Sequence, residues 1–144
     1  MRDKPIQIVL DTNVLVSAFR SRFGSAYKLV SLIGKSQFEL YISVALAFEY
    51  ETVLKRPDQK IFLSSDDVDR LVNFICKISN LHEIYYLWRP TLRDPNDDFL
   101  LELALRSQVE YIVTFNTRDF ILAEGGFLKV ETPSGFLRLI GEQR

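Results

Sequence analysis

Short continuous apolar runs alternate along the chain with longer stretches in which apolar residues recur every three or four positions. The first run, Ile6–Leu10, is rich in β-branched residues and stops at AspThrAsn, which predicts a buried strand ending on Asp11. Helical spacing follows over residues 14–19 and 26–33, with Gly24 and Ser25 between them and Gly34 as the stop. Residues 38–42 read as a second strand. Ser43 then caps a helix over 44–55 ended by Pro57, and the acidic run at 66–69 opens another that continues to residue 78. Residues 82–86 read as a third strand, AspProAsnAspAsp at 94–98 as the start of a helix reaching about Arg106, and 111–114 as a β-branched strand. A short helical turn after Asp119, a strand at 128–130 and a helix over 134–140 complete the pattern.

Strands alternating with helices predict an α/β fold, a three-layer α/β/α sandwich around a mainly parallel sheet. No repeat or linker divides residues 1–144, so a single domain is expected. Composition agrees: at 144 residues and 47% hydrophobic, the chain can bury a core without disulfides or structural zinc. Its lone cysteine, Cys76, lies between Phe74 and Ile78 and reads as a core thiol. With 18 basic and 19 acidic residues, binding of nucleic acid through bulk positive charge is excluded, though a local basic patch is not. No run of about 18 apolar residues and no signal-peptide core are present, so a cytoplasmic protein without a membrane partner is expected.

In an open parallel sheet, ligands bind beyond the C-terminal strand ends, and several acids fall there. Asp11 ends the first strand, Asp119 follows TyrIleValThr in ThrPheAsnThrArgAspPhe, and Asp97 opens a helix entered from the same edge. At about 100° per residue, Glu49 flanks the stripe of Leu46, Tyr50, Val53 and Leu54, whereas Glu51 points away and has Lys55 four residues on. Asp97 shares a face with Leu100, Leu101 and Ala104, whereas Asp98 lines up with Glu102 and Arg106. Taken singly, Asp11 and Asp97 also read as helix caps, Asp119 as a turn residue and Glu49 as a helix-edge glutamate. Taken together, converging carboxylates would repel one another unless a cation sat between them. Hard oxygen ligands suit Mg²⁺ or Mn²⁺, and one His with one Cys leaves no zinc set.

IleValLeuAspThrAsnValLeuValSer, GluTyrGluThrValLeuLysArgPro, ArgAspProAsnAspAspPheLeuLeuGluLeuAla and TyrIleValThrPheAsnThrArgAspPhe resemble, in order, the acidic motifs of the PIN-domain family. The resemblance spans roughly residues 6–140 and is nearest to the VapC-like toxin components of toxin–antitoxin systems. It implies a magnesium-dependent ribonuclease specific for single strands, with Asp11, Glu49, Asp97 and Asp119 as the catalytic acids. Asp11 and Asp97 are the principal metal ligands in this reading, and Asn13, Thr114 and Asn116 fall at supporting positions. Many relatives carry an acid two residues after the motif threonine, where this chain has Asn116, which leaves Asp119 the less secure fourth ligand. Such an acid set lets a Mg²⁺-activated water attack the phosphate without a histidine base, leaving a 5′-phosphate and a 3′-hydroxyl. The resemblance also implies a cognate antitoxin that offers a basic side chain to the acids, and a homodimer is an open alternative.

Arg20, Arg22, Lys28, Arg89, Arg93 and Arg118 flank these motifs and can hold an RNA backbone, Arg93 and Arg118 being adjacent to the third and fourth acids; solvated surface is the plainer reading of each. Phe19 and Phe23 can stack bases, with packing or a partner groove the plainer reading. His82 reads as structural or exposed. Two other functions compete: a non-catalytic RNA-binding or protein-interaction module on the same fold, and a phospho-aspartyl phosphatase or transferase. The latter usually needs a second Asp two residues after the first, where Asn13 stands.

Overall fold

The computed structural model describes residues 4–35, 37–81, 95–123 and 128–141, with backbone alone at 81, 95–98 and 121–123. Five parallel strands form one sheet: β1 (Ile6–Leu10), β2 (Phe38–Ile42), β3 (Asn80–Leu81), β4 (Tyr111–Val113) and β5 (Lys129–Glu131), in the order β3-β2-β1-β4-β5. Helices α1 (Thr12–Ala18), α2 (Ser25–Ser31), α3 (Val44–Leu54), α4 (Ser65–Ile78), α5 (Pro95–Ser107) and α6 (Pro133–Leu139) complete a three-layer α/β/α sandwich. The third strand covers only residues 80–81; residues 82–86, expected to form it, lie outside the described residues, as do His82, Arg89 and Arg93.

Burial accounts for the central place of β1. β1 is covered on both faces, with Ile8 and Val9 fully buried and Leu10 nearly so, which is why it reads as an unbroken apolar run and sits centrally. From β1 the chain moves outward through β2 to β3, then crosses back to β4 and β5 on the other side. The reversal leaves β1 and β4 adjacent with their C-terminal ends together, the switch point at which an open α/β sheet forms its crevice. Helix α5 packs on β1, β2 and β4, α1 packs on α2 and α3, and Phe136 of α6 meets Phe38 and Tyr111 edge to face.

Local signals set most helix limits. Ser43 accepts a hydrogen bond from Leu46 N–H to cap α3, and Ser64 with Asp67 forms a reciprocal capping box on α4. The turn expected after Asp119 is a 3-10 helix, Thr117–Ala123, that already includes it. Cys76 is exposed and not a core thiol. Helix α4 buries Val68, Val72 and Ile75, and Cys76 lies one step round from Ile75 on one side of that stripe, with the partly exposed Phe74 and Ile78 on the other. Its apolar neighbours in sequence mislead because they border the stripe on the opposite side and do not surround it.

Candidate active site

Register builds the centre of the crevice. Leu10 pairs with Val113 across the β1–β4 ladder, so the next residues, Asp11 and Thr114, emerge side by side. Asp11 N–H donates to Val113 O at 3.0 Å and Thr114 N–H to Glu131 O at 2.9 Å, which carries the sheet's bonding one residue past each strand. The fully buried Thr114 hydroxyl donates to Asp11 Oδ2 at 2.7 Å and accepts from Asn116 N–H at 3.0 Å and Asn13 Nδ2 at 3.4 Å. One donor and two acceptor sites are thereby all used, and the hydroxyl has no other orientation open to it.

Asp11 occupies the N-cap position of α1 without a side-chain capping hydrogen bond, and its carboxyl is committed to Thr114 instead. Its carboxyl is raised to about 6, chiefly by burial and further by the neighbouring Glu49, against the stabilising pull of the Thr114 hydroxyl and the backbone amides of Thr12 and Asn13.

Helix α3 supplies the second acid. Tyr50 is fully buried, and its hydroxyl donates to the Leu10 carbonyl, the last of β1. Burial, with Asp11 and Glu49 nearby, keeps its phenol protonated and raised well above the usual range. Glu49, one residue earlier, accepts from the Thr12 hydroxyl. The Glu49–Tyr50 pair therefore grips the junction of β1 and α1 on either side of Asp11. Glu51 points elsewhere and bonds Lys55 at 3.1 Å.

These residues open into a cleft of about 320 Å³ lined by Asp11, Thr12, Asn13, Glu49 and Asn116, with Arg20, Arg56 and Gln59 among the remainder of the wall. Asn116, not Asp119, lines it; Asp119 is exposed on the 3-10 helix, where its N–H bonds Asn116 O at 3.0 Å. Arg118 is exposed and also outside the lining, and Arg93 lies outside the described residues. Asp97 falls in the first turn of α5, three, four and seven residues before the buried Leu100, Leu101 and Ala104. Among the described residues, no third acid, His or Cys joins Asp11 and Glu49 in a metal-binding group.

The donors present, two carboxylates with hydroxyl and amide oxygens around them, fit a hard divalent cation such as Mg²⁺ or Mn²⁺. The raised Asp11 carboxyl points the same way, since a cation would favour the anion that burial and Glu49 oppose. Four participants escape the residue-by-residue reading of the sequence, among them Thr12, which reads only as the first residue after Asp11 until its hydroxyl meets Glu49. Tyr50 looks like any apolar-stripe residue until its hydroxyl is placed, and Arg56 and Gln59 flank Pro57 with no periodic signal.

A family model for the PIN domain matches residues 7–118, from the second residue of β1 to Arg118 on the 3-10 helix. No curated protein matches the chain. No helix among the described residues is long and apolar enough to cross a membrane.

Proposed function

The chain belongs to the PIN-domain family, whose members are generally nucleases and typically use divalent metals, and from that premise we propose that it is a magnesium-dependent endoribonuclease for single-stranded RNA. The observation that supports this reading best is the pairing of Asp11 and Glu49 on one cleft, each held by its own threonine, with Asp11 raised by burial. In this reading Asp11 and Glu49, with Asp97 from α5, hold the ion, and Asn116 stands where many relatives carry a further acid. A bound divalent ion would lower the pKa of the attacking water and offset charge developing on the phosphoryl oxygens.

The chain's own residues do the positioning. The Thr114 hydroxyl holds one oxygen of Asp11, the Thr12 hydroxyl one oxygen of Glu49, and Tyr50 ties α3 to the end of β1. Holding the acids in place beforehand means that little reorganisation accompanies the reaction. Attack by water requires no 2′-hydroxyl nucleophile, so the products carry a 5′-phosphate and a 3′-hydroxyl. The proposal extends to a single catalytic domain acting in the cytoplasm, as the toxin of a toxin–antitoxin pair whose antitoxin covers the acids.

Incubation of end-labelled RNA with the purified protein tests the chemistry. Cleavage of single strands but not duplexes in Mg²⁺ or Mn²⁺, none in EDTA, and 5′-phosphate ends are the expected results. Cleavage that persists in EDTA and leaves 2′,3′-cyclic phosphates would overturn it, and RNA binding without cleavage in either metal would favour a non-catalytic module. Co-expression with the adjacent gene product should suppress both cleavage and toxicity; harmless overexpression of an active enzyme would point instead to RNA processing.

A further inference from the structure

The segment after α3 is locked onto the end of α1. Phe62 N–H donates to Phe19 O at 2.8 Å, the two rings meet edge to face at 5.8 Å, and the Arg22 guanidinium lies 4.0 Å from the Phe62 ring centre. Arg20 belongs to the same clamp: its Nε donates to Gln59 O at 2.7 Å and its Nη2 to Gln59 Oε1 at 2.9 Å. Lys60, in the left-handed conformation at φ 55°, ends the 3-10 turn Pro57–Gln59 that presents both acceptors.

Arg20, Arg56 and Gln59 line the same cleft as Asp11 and Glu49, yet neither arginine forms an ion pair with those acids. Both arginines are exposed, and a guanidinium sharing a cleft with carboxylates has charge-assisted bidentate pairing open to it, among the strongest of its hydrogen bonds. Here a neutral amide and a backbone carbonyl hold Arg20 instead. They use two of its five N–H groups and leave its positive charge unneutralised and its fork oriented. A wall built this way suits an anion, and the planar fork matches phosphate geometry.

Resting on the nuclease reading above, we propose that Arg20, set in place by Gln59, forms with Arg56 an anion subsite that grips a backbone phosphodiester of the RNA next to the one being cut. The cleft then sorts charge: the acids take a cation, and the arginines take a phosphate that the acids would repel. A phosphate contact carries no base information, so this subsite supplies affinity and register and not sequence preference.

The test is fluorescence anisotropy with a fluorescein-labelled single-stranded RNA dodecamer in EDTA over a range of NaCl concentrations. Arg20→Gln should weaken binding at least fivefold and reduce the slope of log K against log[salt] by about 0.7, the value for one phosphate contact on a single strand. Gln59→Glu is nearly isosteric and can still hold Arg20, but it cancels the charge; it should lose comparable affinity with its melting temperature unchanged or raised. A merely structural role for the clamp predicts the reverse, full affinity in Gln59→Glu. Arg70→Gln, which removes an equal charge from the Asp67 pair on α4, should bind as the wild type does. In Mg²⁺, Arg20→Gln should raise KM more than it lowers kcat. Undiminished affinity in both Arg20→Gln and Gln59→Glu, or no RNA binding by the wild type, overturns the subsite. RNA cleavage with undiminished Arg20→Gln affinity sinks the subsite alone, whereas Arg20-dependent binding without cleavage in Mg²⁺ or Mn²⁺ sinks the nuclease reading alone.

Discussion

Burial raises the Asp11 carboxyl from an ordinary 3.8 to about 6, and that shift has a consequence for stability as well as for metal binding. Between those two values the folded chain holds more protons than the unfolded one. Stability without metal therefore falls as pH rises from about 4 to about 6, and the full loss is present above the folded value. Asp11→Asn removes the ionisation while keeping an acceptor for the Thr114 hydroxyl. The metal-free variant should exceed the wild type by up to roughly 3 kcal/mol at pH 7.5 and match it near pH 3. Urea midpoints at the two pH values check this, and a variant less stable than wild type at pH 7.5 contradicts it. The same variant should lose divalent-dependent cleavage. Tyr50→Phe probes the anchor beneath: it removes the hydrogen bond to the buried Leu10 carbonyl, which should cost about 1–3 kcal/mol in denaturant and lower kcat by loosening Glu49 against Asp11. Unchanged stability would show that the tyrosine hydroxyl contributes nothing there.

At the scale of elements, α3 carries two glutamates two residues apart with different duties. Glu49→Gln should abolish most activity, whereas Glu51→Gln, removing an exposed pair with Lys55, should keep full activity and change stability by less than about 1 kcal/mol. Equal losses of activity would refute the distinction. The capping box of α4 gives a purely structural counterpart: Ser64→Ala should cost about 1 kcal/mol without altering cleavage. Helical angle alone separates Glu49 from Glu51, because a helix repeats its faces whatever surrounds it. The strand that delivers Asp11 is legible for a similar reason, as its unbroken apolar run betrays burial on both faces. Which strands become neighbours is not local information. The bond from Thr114 to Asp11 joins residues 103 apart, and the Arg20–Gln59 clamp spans 39 with no periodicity to announce it. Cys76 shows the opposite failure: apolar residues adjoin it in sequence, yet it falls outside the buried stripe of its helix.

Across the whole molecule, a net charge of -1 leaves no general attraction for RNA, so the sorting of charge within one cleft matters more than the total. The cleft lies where the sheet changes direction, at the joined ends of β1 and β4, and a cation bound there would tie elements from both halves of the sheet. Binding to the folded state alone adds stability. At ten times its dissociation constant, Mg²⁺ should contribute about 1.4 kcal/mol, a rise of roughly 3–6 °C in melting temperature near pH 7.5. The rise should vanish in a variant with Asp11 and Asp97 both changed to Asn. The most direct test of the central claim is to locate Mn²⁺ by anomalous scattering in crystals of the wild-type protein soaked with the ion. A peak within coordination distance of both Asp11 and Glu49, absent from Asp11→Asn crystals, is the result expected of a metal-dependent nuclease centre. A cleft without manganese under saturating conditions, or manganese bound only elsewhere on the protein, would contradict it.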